Sequence, residues 1–173
     1  FAMEAHNLSS VVFVPNKINP LRSEGPTASD TDRLDMLSAA VRGTKDFFVS
    51  DIELRRDTPS YTVYTLESIS SQITSDASLF FIMGSDSLLN FHRWHNVEGI
   101  FKYASLIPVA RRDLPRERLD ELEKLLPARL LQRFKENFVQ REFIDISSTE
   151  IRETFQRTGI WPDSIPAEVV TIL

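Results

Sequence analysis

The sequence predicts an α/β protein built as a doubly wound parallel sheet with helices on both faces. Three observations predict it. Short continuous apolar runs, such as Val11-Val12-Phe13-Val14 and Leu79 to Met83, suit strands buried on both faces of a parallel sheet. Segments with apolar residues at helical spacing separate those runs. Strand and helix then alternate along the chain, which implies right-handed crossovers.

Phe1 to Ser10 reads as the tail of a helix, and the Val11–Val14 run that follows is stopped by Pro15. Asn16 to Thr27 holds prolines, a glycine and polar residues and is a loop. Ser29 or Asp30 caps a helix to about Arg42, with Leu34, Leu37 and Val41 on one face and Gly43 just past its end. A second strand is expected over about Phe47 to Leu54. Thr58-Pro59-Ser60 is expected to open the next helix, in which Val63, Leu66, Ile69 and Ile73 recur at helical spacing. Leu79 to Met83 is the third strand, ending at Gly84. Two short helical pieces (about Ser85–Phe91 and Val97–Tyr103) precede a strand from Leu106 to Ala110. Arg116 to about Phe138 is expected as two helices broken at Pro127, and Phe143 to Ile146 as the last strand. Ser147 to Thr158 is a helix stopped by Gly159, and Pro166 starts a final one. No repeat or linker interrupts residues 1–173, so one Rossmann-like domain is expected.

The 173 residues are 42% apolar and 26% charged, ordinary for a globular chain able to bury its own core. There is no cysteine, which removes disulfides, thiolate nucleophiles and thiolate ligands together and suits a reducing, cytoplasmic setting. No apolar run approaches the roughly 18–20 residues of a membrane span, and no basic-then-apolar signal pattern opens the sequence given. The formal net charge of -5 disfavours a nucleic-acid backbone as partner. It leaves room for a small anion held by arginines at a helix start.

In a doubly wound sheet, ligands lie beyond the carboxyl ends of the strands. After the last expected strand stands Ser147-Ser148-Thr149-Glu150-Ile151-Arg152. Ser147 and Glu150 fit a capping box, and the free N–H groups, hydroxyls and Arg152 make either a phosphate seat or an ordinary cap. After the third strand, Gly84 allows close approach of a ligand, while Asp86 either accepts hydrogen bonds from ribose hydroxyls or caps a helix. Trp94 suits stacking on a planar heterocycle and equally a part-buried core position. His92 and His95 have helical metal-binding spacing without an evident third ligand, so no metal site is assigned. Thr58 to Thr62 opens a helix whose N–H groups suit a carboxylate or phosphate. Arg111-Arg112 and Lys17 with Arg22 follow two further strands.

These residues resemble bacterial nicotinate mononucleotide adenylyltransferases over essentially the whole chain. The matching blocks are Phe13-Val14-Pro15-Asn16 with Pro20 and Arg22, Arg33-x-x-Met36-Leu37, and Ser50-Asp51-Ile52-Glu53-Leu54-x-Arg56. They continue with Pro59-Ser60-Tyr61-Thr62 with Thr65-Leu66, Gly84-x-Asp86-Ser87-Leu88 with Trp94, Arg111, and Ile146-Ser147-Ser148-Thr149-x-Ile151-Arg152, followed by Pro166 and Glu168-Val169-Val170. The resemblance implies adenylyl transfer from ATP, with Mg2+, to nicotinate mononucleotide, giving nicotinate adenine dinucleotide and pyrophosphate. It implies that Trp94 stacks on the pyridine, that backbone groups at Thr62 and His95 read its carboxylate, and that Asp86 holds sugar hydroxyls. Gly84, Arg111, Ser147, Ser148, Thr149 and Arg152 would serve ATP. A homo-oligomer is compatible with it.

Two departures stand out. The family's opening strand and its G-G-T-F-D-P-x-H-x-G-H turn do not occur in this sequence, so no catalytic residue is assigned within it. His6, His92 and His95 do not replace that turn's histidines. The second departure is Leu21, where the family often has histidine. The absent strand would be central in a 3-2-1-4-5 order, and buried backbone groups left unpaired cost about 1–3 kcal/mol each. The expectation is therefore an N-terminally incomplete chain. Other readings of the same residues are a non-catalytic nucleotide-binding module and a related enzyme for the amide mononucleotide.

Overall fold

The computed structural model describes residues 2–22, 25–84, 87–88, 90–109, 124, 127–139 and 146–172. The fold is mixed α/β with short parallel sheets, and the chain packs as two compact units. One comprises Phe1–Leu8 with Tyr61–Phe143, the other Ser9–Ser60 with Ile144–Leu173.

In the first unit, α1 (Ala2–His6) ends where His6 Nε2 meets the Asn137 carbonyl at 3.1 Å. Strand β3 (Phe80–Gly84) pairs in parallel with β4 (Ser105–Val109), from Phe80↔Ser105 to Gly84↔Val109. Proline rarely sits inside a sheet because it has no N–H to donate. Here Pro108 accepts from Val139 N–H at 2.9 Å on the side away from β3, so its missing donor does not break the β3–β4 ladder. Helix α3 (Thr62–Ser70) packs on α4 (Val97–Tyr103), and α5 (Ala128–Glu136) packs on β4. The core gathers Val63 and Leu66 from α3, Met83, Leu88, Phe91, Ile100, Ala104, Leu106 and Leu131. Leu88, Phe91, Ile100 and Ile107 are fully enclosed.

In the second unit, β1 (Val11–Phe13) pairs in parallel with β2 (Phe47–Val49), and the Phe13 and Phe47 rings meet edge to face at 5.3 Å. Helix α2 (Asp30–Val41) begins where Ser29 Oγ accepts the Asp32 N–H at 3.1 Å, and Gly43 takes φ +88° just beyond its end. It packs on β2 and on the short α7 (Ala167–Val170), burying Ala39 and Val169. Helix α6 (Ser148–Thr158) ends at Gly159 with φ +70°, which lets the chain return and stack Trp161 on Phe155 at 3.8 Å and 8°.

The sequence-predicted boundaries differ at two places. The second strand stops at Val49 rather than running to Leu54, because the chain turns there: Arg55 N–H donates to Asp51 O and Arg56 N–H to Glu53 O. Helix α3 opens at Thr62 and not at Thr58–Ser60. Ser60 is engaged elsewhere, with its N–H on Ile18 O at 2.8 Å and its Oγ accepting from Lys17 N at 3.0 Å. The expected last strand at Phe143–Ile146 and the helix before Pro127 lie largely outside the described residues. No helix among the described residues is long and apolar enough to cross a membrane.

Candidate functional site

The first unit brings two of the expected binding segments together. Helix α3 starts after Tyr61, whose backbone is extended (φ -79°, ψ 118°) and whose side chain makes no capping bond. The carbonyl of Tyr61 takes the N–H groups of Tyr64 and Thr65. No described hydrogen bond uses the Thr62 N–H, so the helix start keeps donor capacity and positive dipole potential.

The second segment is the loop Trp94-His95-Asn96 between a 3-10 turn (Phe91–Arg93) and α4. Trp94 N–H closes that turn on Phe91 O at 3.0 Å. Its ring is part-buried and meets Phe81 and Phe91 edge to face, at 5.8 and 5.3 Å. Trp94 Nε1 is buried without a hydrogen-bond partner among the described residues, an arrangement proteins rarely leave unsatisfied. Asn96 is held at φ 50° and its side chain accepts the Gly99 N–H at 3.0 Å, capping α4. Gly99 is needed for this: a Cβ there would lie 2.5 Å from Asn96 Nδ2.

The segments meet through three rings. His95 lies on Tyr61 with centroids 4.4 Å apart, and its Nε2 shares a hydrogen bond with Tyr64 Oη at 3.1 Å. Thr62 and Trp94–His95 thus belong to one neighbourhood. Tyr64 is the residue that sequence reasoning missed. No local signal marked it: Tyr64 sits exposed on the first turn of α3, meets Tyr61 edge to face at 5.9 Å and reaches His95 only through the fold.

Gly84 closes β3 opposite Val109. Asp86 and Arg111 lie outside the described residues. His92 is exposed, and among the described residues no three His, Asp or Glu side chains assemble as a metal cage. Elsewhere in this unit, a groove of about 430 Å³ runs between α4 and α5, lined by Glu98, Phe101, Lys102, Arg129, Leu130 and Arg133, with Glu98 and Arg129 ion-paired.

The second unit holds the other expected group at the start of α6. Ser147 is the N-cap, accepting the Glu150 N–H at 3.5 Å. Ser148, Thr149 and Arg152 follow within the first turns, all exposed. They form a compact run of hydroxyls and one guanidinium on a helix N-terminus. The matched blocks earlier in this unit have structural partners instead. Arg33, part-buried, donates to Asn16 O at 2.6 Å and to Asp30 at 2.5 Å, and Lys17 pairs with Asp57 at 3.0 Å. Glu53 is buried and partnered.

Comparison with known proteins bears on this arrangement. The family model described as cytidylyltransferase-like matches residues 1–154. A protein of Rhodopirellula baltica named probable nicotinate-nucleotide adenylyltransferase is 34% identical over 172 residues, covering 99% of this chain and 80% of its own. A protein of the same name from Aquifex aeolicus is 37% identical over 148 residues, 85% of this chain and 86% of its own. A third, from Serratia proteamaculans, is 34% identical over 173 residues, 94% and 78% of the two chains.

Proposed function

We infer the activity from one premise: the chain belongs to the cytidylyltransferase-like family and, within it, to the nicotinate-nucleotide adenylyltransferases. The reaction is nucleotidyl transfer in NAD biosynthesis. A phosphate oxygen of nicotinate mononucleotide attacks the α-phosphorus of ATP, the bond to the bridging oxygen breaks, and pyrophosphate leaves. The product is nicotinate adenine dinucleotide. Such chemistry proceeds by positioning and charge stabilisation, with no covalent enzyme intermediate.

The observation that carries this reading is the junction of α3 with the Trp94–His95 loop. It places an uncapped helix start beside a part-buried indole, a pairing suited to a planar ring that bears a carboxylate. On this reading Trp94 stacks on the pyridine, and the N–H groups of Thr62 and His95 take its carboxylate. Asp86 holds the ribose. Gly84, Arg111, Ser147, Ser148, Thr149 and Arg152 serve ATP, whose phosphates meet helix N–H groups and guanidinium. Magnesium would enter with ATP as co-substrate and would offset the charge of the triphosphate. A cytoplasmic setting suits a chain without cysteine.

The test is pyrophosphate release by the full-length protein given magnesium–ATP and nicotinate mononucleotide. Expected is one pyrophosphate per dinucleotide formed, with Trp94→Ala raising KM for the mononucleotide and Arg152→Ala raising it for ATP. A folded full-length protein that releases no pyrophosphate from this pair refutes the reading.

A further inference from the structure

We infer that Tyr64 is a positioning residue for nicotinate recognition, acting through His95 to set the distance between the α3 start and the Trp94–His95 loop. The inference rests on the function proposed above and assigns to this chain a determinant of acid-over-amide selectivity.

The geometry is specific. Tyr64 Oη and His95 Nε2 are 3.1 Å apart across 31 residues of sequence. The imidazole is held on a second side by Tyr61, at 4.4 Å and 35°, and the two tyrosines meet edge to face at 5.9 Å and 80°. The imidazole is therefore fixed from two directions by the first turn of α3. His95 is followed by Asn96 in the left-handed region, a backbone state few residues other than glycine and asparagine adopt readily. The loop is thus pinned at His95 by the rings and at Asn96 by its cap on Gly99.

A carboxylate has two acceptor oxygens, so it satisfies two N–H donors set at a fixed spacing, one from each segment. A carboxamide has one acceptor oxygen and presents an NH2 group to the second donor. That mismatch leaves polar groups unpaired and rejects the amide. Selectivity of this kind depends on the spacing being held. Removing the Tyr64 hydroxyl deletes one of the ties between the loop and α3 while leaving the Tyr61 contact, the Tyr64 ring, the helix and both donors in place.

The experiment measures the binding of nicotinate mononucleotide and nicotinamide mononucleotide to the full-length protein by calorimetry. Variants are Tyr64→Phe, His95→Ala, the double variant and His95→Gln. Tyr64→Phe is expected to weaken the acid ligand about three- to tenfold, the size of one net hydrogen bond, and the amide by less than about twofold. The double variant is expected to bind as His95→Ala does, because on this inference the hydroxyl influences the ligand through the imidazole. His95→Gln, which keeps a hydrogen-bonding group near the hydroxyl, is expected to retain part of the selectivity. Unchanged acid affinity in Tyr64→Phe overturns the inference and leaves the proposed function standing. So does equal weakening of both ligands, or independent effects in the double variant. Wild-type protein that binds neither mononucleotide overturns both.

Discussion

Replacing Phe91 with alanine tests the claim that the Trp94 loop is supported by the core of its unit. Phe91 is fully buried, with its ring edge to face against Trp94 at 5.3 Å and Phe101 at 5.9 Å. Truncating a buried phenylalanine costs about 3–5 kcal/mol through lost transfer energy and an unfilled cavity. The two ring pairs, worth about 0.5–1.5 kcal/mol each beyond area, place this site toward the upper part of that range. Against a total stability of about 5–15 kcal/mol, the variant keeps a narrow margin. For a chain of this size the loss corresponds to a fall in melting temperature of about 6–20 °C. Urea unfolding followed by tryptophan fluorescence measures it. The protein has two tryptophans, so a Trp161→Phe background leaves Trp94 as the sole reporter. Its emission is expected to shift to the red before unfolding, as one of its two aromatic neighbours is gone. Phe48→Ala, at a ring exposed at 53%, is the control and is expected within about 0.5 kcal/mol of wild type. A Phe91→Ala loss below about 1 kcal/mol with unshifted emission refutes the reasoning.

Gly159→Ala is expected to cost about 1 kcal/mol by urea unfolding: a new methyl meets nothing within 4 Å, so the penalty comes from the φ of +70° alone. No measurable loss would show that α6 does not need that conformation to end. Arg33→Lys is expected to cost about 1–2 kcal/mol in the same assay, because one ammonium cannot reproduce the fork that reaches both Asn16 O and Asp30. A change under about 0.5 kcal/mol would refute that dual role. The Asp76 carboxyl is held below the usual carboxylate range by the Thr74 side chain, with help from its own backbone N–H. A lowered folded-state pKa favours the native state above the unfolded carboxylate pKa and loses that contribution as pH falls through the lowered value. Thr74→Val is accordingly expected to raise the Asp76 midpoint in an NMR titration, and an unmoved midpoint would sink the assignment.

What was legible in the sequence were features decided by neighbours in the chain. Ser29 and Ser147 cap α2 and α6, Gly43 and Gly159 follow those helices, and the Val11 and Phe80 runs are strands. What was not legible was decided at long range. The Thr58–Ser60 segment has the composition of a helix start, but Ser60 spends its hydroxyl and its N–H on Lys17 and Ile18, some forty residues earlier. Ile52 and Leu54 alternate with acidic residues in the manner of a strand, and local bonds from Arg55 and Arg56 turn the chain instead. The candidate site follows the same rule. Thr62, Trp94 and His95 carried motifs, whereas Tyr64 matters only because the fold sets it against an imidazole 31 positions away.

The crowding around Gly99 has a practical corollary for anyone altering this protein. An alanine there is a good helix former on every local scale, yet its methyl would displace the Asn96 amide from its seat on the first turn of α4. The residue so released is the hinge pin beside His95. A change that looks like helix stabilisation would then be felt four residues upstream, as a loosened hold on the loop at His95.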